Sequence, residues 1–99
     1  MLYMIFAEDH DNSLPDRLQV RPQHIERLQE LKNAGRLVLA GPNPATDCPA
    51  PGAAGFSGSL IVADFASLQA AREWADADPY VKAGVYKNII IKPFNKVLP

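Results

Sequence analysis

The sequence predicts an α+β domain in which two helices cover one face of an antiparallel four-stranded sheet. Three observations predict it. Short apolar runs punctuated by glycine and proline alternate with stretches of helical spacing, in the order strand, helix, strand, strand, helix, strand. Each helical stretch carries one apolar stripe and so has one face to bury. The 99 residues match the length of a single domain, here taken as 1–99.

"LYMIFA" (2–7) is apolar and aromatic without helical spacing and reads as a buried opening strand. "EDHDNSLPD" then breaks it with turn formers. Leu18 to Ala34 reads as a helix, with Pro22 suited to its first turn because a first-turn N–H has no intrahelical partner. At about 100° per residue, Leu28 and Leu31 flank His24 while Ile25 widens the stripe. Gly35 supplies the stop. "RLVLAGP" (36–42) is the second strand, followed by a proline-rich loop over 42–55. "GFSGSLIVADF" (55–65) is the third strand, in which Gly58 marks a bulge or a close backbone approach. Ser67 caps a helix whose stripe is Leu68, Ala71, Trp74 and Ala75, and Pro79 ends it at or before Asp78. "YKNIIIKPF" (86–94) is the last strand. This split βαβ order is that of a ferredoxin-like βαββαβ fold, with a second sheet face left bare for another copy to cover.

Ten basic and eleven acidic residues, spread along the chain, give a net charge of −1. That balance argues against nucleic acid, which needs a basic face to neutralise phosphates. No segment is basic and amphipathic enough for a membrane surface, and Leu2–Ala7 is too short for a span or a signal peptide. Cys48 is the only cysteine, so no internal disulfide forms and a cytoplasmic setting is expected.

His24 is the residue that asks for an explanation. A histidine on an apolar face is most often a hydrogen-bonded core residue; a functional one needs a partner that orients the ring. Asp78 is the best partner, because a helix C-terminus disfavours its carboxylate and the helix spacing turns it toward the apolar stripe. Together they form a general acid or base, unless Asp78 merely caps the turn before Pro79. Arg17 and Arg21 are surface cations by default and clamps for a substrate carboxylate or phenolate otherwise. Ser59 offers a hydroxyl but has no activating neighbour in sequence, so no serine nucleophile is expected. Asp9, His10 and Asp11 read as a solvated turn rather than a metal site, since adjacent turn residues rarely converge on one ion. Cys48 has no neighbour that would activate it. Tyr3, Ile5, Phe94 and Tyr80 are candidate apolar walls that serve equally well as core.

"RPQH", "AGP", "GFSGS" and "ADADPYVKAGVY", in that order and spacing, resemble the YCII-related family across essentially the whole chain. The resemblance implies a dimeric α+β barrel, two ferredoxin-like subunits with their sheets face to face, similar to muconolactone isomerase. It implies a His–Asp pair in a cleft, falling on His24 and Asp78, with further lining positions at Ser59, Gly41 and Pro42. A relative that dehydrochlorinates a hydroxyhydroquinone-type ring points to proton transfer. The leading expectation is therefore a homodimeric, cofactor-independent lyase or isomerase acting on a small, oxygenated, anionic ring compound, without metal. A non-catalytic small-molecule binder and a purely structural dimer with a buried ion pair are the alternatives.

Overall fold

The computed structural model describes residues 1–99. Strands β1 (Leu2–Asp9), β2 (Leu37–Pro44), β3 (Phe56–Asp64) and β4 (Tyr86–Phe94) form one antiparallel sheet in the order β2-β3-β1-β4. Helices α1 (Leu14–Asn33) and α2 (Leu68–Asp76) follow β1 and β3, and a one-turn α3 (Pro79–Lys82) follows α2. The α+β, ferredoxin-like fold is the expected one, with α3 as an addition.

Alternation along β1 explains the layers. Tyr3, Ile5, Ala7 and Asp9 are buried beneath the helices, while Leu2, Met4, Phe6 and Glu8 face the other way. Across β3 the inward residues are Ala63, Ile61 and Ser59, opposite Tyr3, Ile5 and Ala7. They join Leu28 and Leu31 of α1, Ala71 and Ala75 of α2 and Phe65 in one apolar core. The inner face therefore runs from an apolar end at Tyr3 and Ala63 to a polar end at Asp9 and Ser59.

Several boundaries differ from expectation. Helix α1 begins four residues earlier, at Leu14; Pro15 occupies its first turn and Pro22 lies inside the helix. A proline there removes the N–H that would bond the carbonyl four residues back, and the exposed ring leaves the two flanking halves packed on the sheet. Strand β2 continues through Pro42 to Pro44, because it is an edge strand and needs no outward N–H. The following loop shrinks to 45–55 and contains a 3-10 turn at Gly52–Ala54. Leu68 is half exposed, so the α2 stripe reduces to Ala71, Trp74 and Ala75. Ser67 does cap α2, accepting from the Ala70 N–H at 3.0 Å, and Gly35 ends α1 with φ +72°. Gly58 serves close approach: a Cβ there would collide with the Ala7 carbonyl.

A bulge between β1 and β4 shapes the polar end. Glu8 pairs with Asn88 but Asp9 pairs with Tyr86, so Lys87 is skipped. Regular pairing would aim Lys87 inward; the bulge aims Tyr86 there instead.

Candidate active site

Helix α1 supplies one wall of the polar end. Arg17, Arg21, His24, Leu28 and Leu31 recur at three- and four-residue spacing and share a face; all but Arg21 are buried. His24 Nδ1 lies 2.9 and 3.0 Å from the two carboxylate oxygens of Asp78. Asp78 is 2% exposed, and it stands where α2 has ended and α3 begins. Its backbone is extended, as the following proline requires, and its Oδ1 accepts the Tyr80 N–H at 2.9 Å. The expected unfavourable helix C-terminus is thus corrected: the carboxylate is the N-cap of the next turn, where backbone N–H groups favour it.

Arg27, one turn along α1, adds a cation. Its Nη1 is 3.3 Å from Asp78 Oδ2, close enough for an ion pair but misaligned for a hydrogen bond. Its Nη2 donates to the Trp74 carbonyl at 2.6 Å and the guanidinium lies over the Trp74 ring. The His24 ring stacks on Tyr80 with centroids 4.1 Å apart and planes 17° apart. An ionised Asp78 accepts, so Nδ1 donates, and the tautomer leaves Nε2 without a protein partner.

A second network surrounds Arg17. Its Nε donates to Asp9 Oδ2 at 2.6 Å, and Nη2 donates to the Gly58 carbonyl at 2.9 Å and Ser59 Oγ at 2.8 Å. Nη2 also lies 3.3 Å from Asp9 Oδ1, and the guanidinium faces the Tyr80 and Phe56 rings. Asp9 is therefore a buried counterion, which corrects its reading as part of a solvated turn. Its signal is the alternation Tyr3, Ile5, Ala7, Asp9, obscured by ending the strand at Ala7. Burial raises the Tyr80 phenol, against the lowering influence of Arg17 and Arg21, and raises Tyr86 further, only partly offset by Ser59 beside it.

These groups meet at a cleft of about 160 Å³ between α1 and the edge strand β2. Arg17, Arg21, His24, Ser59 and Tyr80 form its polar walls; Ile25, Leu28, Ala40, Gly41, Pro42 and Ile61 form the rest. Pro42 reaches it by pairing with Ser59 across the sheet. Asp78 lies behind His24, outside the lining. Of the candidate walls, Tyr80 lines the cleft, whereas Tyr3 and Ile5 belong to the apolar core and Phe94 lies exposed. Cys48 is exposed in the loop, away from these groups. No three histidine, cysteine or acidic side chains converge as metal ligands, and no helix is long and apolar enough to cross a membrane.

An open-edged ferredoxin-like sheet, with His24 lining a small cleft and Asp78 behind it, makes this an α+β domain with polar groups gathered at one end of the sheet. The chain belongs to the YCII-related family, whose domain model matches residues 1–95. Protein YciI of Escherichia coli is 60% identical over 97 residues, which span 98% of this chain and 99% of that one. A protein of Emericella nidulans, "Derivative of benzaldehyde biosynthesis cluster protein C", is 38% identical over 82 residues, 79% of this chain and 76% of the relative. Among solved structures, 5-chloro-2-hydroxyhydroquinone dehydrochlorinase (TftG) from Burkholderia phenoliruptrix, in complex with 2,5-dihydroxybenzoquinone, superposes with a TM-score of 0.84 at 23% identity, covering 96% of this chain and 94% of that one. At that identity the likeness carries the fold.

Proposed function

We propose that this chain is a cofactor-independent enzyme of the lyase or isomerase kind, in which His24 moves a proton on a small oxygenated ring compound. One observation carries the reading: Nδ1 is bound to a buried carboxylate while Nε2, on a residue lining a one-ring cleft, is left without a protein partner. Asp78 holds the ring orientation and stabilises the imidazolium that forms when Nε2 accepts a proton. Arg27 and the Tyr80 N–H hold Asp78, so the base does not swing. Arg17 and Ser59 orient the substrate, and Gly41 and Pro42 close the opposite wall. The dehydrochlorination named for the similarly folded TftG supports chemistry of this class.

The working unit is a homodimer in the cytoplasm. Met4, Phe6 and Leu60 lie half-buried around a buried Val62 on the sheet face away from the helices, and covering such a face is a strong reason for two copies to associate. A sole free cysteine suits a reducing compartment.

The test is turnover of hydroxylated and chlorinated hydroquinones and of small lactones, followed by hydrogen exchange into substrate carbon in D₂O. His24→Gln and Asp78→Asn are expected to lower the rate of whichever compound reacts by about 10²–10⁴. Unchanged turnover in both variants would overturn the reading.

A further inference from the structure

The charges around the cleft do not balance. Arg17 is matched by Asp9 at 2.6 Å and Arg27 by Asp78 at 3.3 Å. Arg21 lines the same cleft with no carboxylate against it, and no acidic side chain stands in the lining. One guanidinium charge is therefore left over beside an enclosure of about 160 Å³. That is close to the roughly 150 Å³ that holds a benzene ring in an engineered cavity.

Hydrogen-bond supply points the same way. Three of the Arg17 contacts use Nη2 and one uses Nε; Nη1 makes none of these bonds, and the guanidinium otherwise acts only on the Tyr80 phenol and the facing rings. Ser59 Oγ accepts from Arg17 and sits beside the Tyr86 phenol, so its own hydrogen is shared between Tyr86 and any ligand in the cleft. The wall is thus rich in donors, and Leu28, Ile25 and Ile61 give the apolar surface a ring requires.

We infer that the cleft binds a one-ring organic monoanion, its charge drawn by Arg21 and an anionic oxygen held by Arg17 Nη1. This deepens the proposed function, resting on the cleft as the ligand site, but it concerns binding and stands apart from proton transfer. A neutral ring leaves the Arg21 charge unanswered, so selection rests on charge at constant shape. Arg17 cannot supply that selection, because Asp9 already neutralises it.

Benzoate and benzamide, nearly isosteric and differing by one charge, test the idea by titration calorimetry and ligand-observed NMR at low salt. The wild-type protein is expected to bind benzoate saturably below about 10 mM and at least about tenfold more tightly than benzamide. Arg21→Gln, an exposed position, should erase that preference by weakening benzoate far more than benzamide. Arg72→Gln, which removes the same charge from α2, should keep it. His24→Gln should also keep it, although it abolishes turnover under the enzymatic reading, so the two proposals fail separately. No saturable benzoate binding, equal affinity for the two probes, a preference that survives Arg21→Gln, or one that disappears in His24→Gln would each overturn the inference.

Discussion

Asp9 and His24 are both ionisable side chains under the helices, yet they differ in what their neighbours leave free. Asp9 is consumed by Arg17 and by a weak contact from Ser13 Oγ at 3.4 Å, so it builds rather than reacts. Removing it strands a guanidinium that is itself 5% exposed. Asp9→Ala is accordingly expected to cost about 3–5 kcal/mol in urea unfolding. A loss under about 1 kcal/mol would mean that water reaches Arg17. Tyr86 gives the residue scale its pH dependence. Burial raises its folded-state pKa above the ordinary value, so between about pH 10 and that value the folded chain keeps a proton the unfolded chain has released. Its contribution is full below about pH 10 and is lost as pH climbs further. Thermal unfolding from pH 9 to 11.5 should show a falling Tm, with a shallower fall in Tyr86→Phe; parallel curves would refute it.

At the scale of elements, α1 matters most because one helix face carries Arg17, His24 and the core leucines. Pro22 interrupts that helix between the two networks. Pro22→Ala restores an N–H that can reach the Leu18 carbonyl, and should stabilise the protein by up to about 3 kcal/mol by chemical denaturation. A decrease would show that the proline sets the aim of Arg17 relative to His24. The helix itself was legible: spacing picked out His24, Leu28 and Leu31, and the same spacing extends back to Arg17 once the helix start is moved to Leu14. Ser67 and Gly35 were legible too, because caps depend on one residue and its immediate neighbours. Capping by Asp78 was legible from Asp-Pro as an alternative to pairing; that it caps α3 and meets His24 at once was not, since α3 has too few residues to carry a periodic pattern. Tyr86 escaped for a related reason: strict alternation places Lys87 inward, and only a bulge in the ladder reverses it.

Over the whole molecule, the sheet has a helix-covered face with the site at one end and an apolar face without cover. Phe6 sits near the middle of the latter, between Leu60 and Ile90 on the adjacent strands. In the proposed dimer this face is the interface, so Phe6→Glu should convert the protein to monomer in sedimentation velocity at micromolar concentration without unfolding it. An unchanged dimer would place the interface elsewhere, and a wild-type monomer would remove the dimer altogether. By itself the sequence determined the strands and two main helices, the glycine stop of α1 and the N-cap of α2, the inward face of His24 and the family, because these follow from periodicity and motif spacing along the chain. Tertiary structure alone decided that His24 meets Asp78 across 54 residues and that Arg17 meets Ser59 across 42. It likewise decided that Asp9 is a counterion and that Arg21 is left unmatched. Those facts depend on which elements pack together and in what register, and no local pattern in the chain encodes the distance between two side chains that the fold brings face to face.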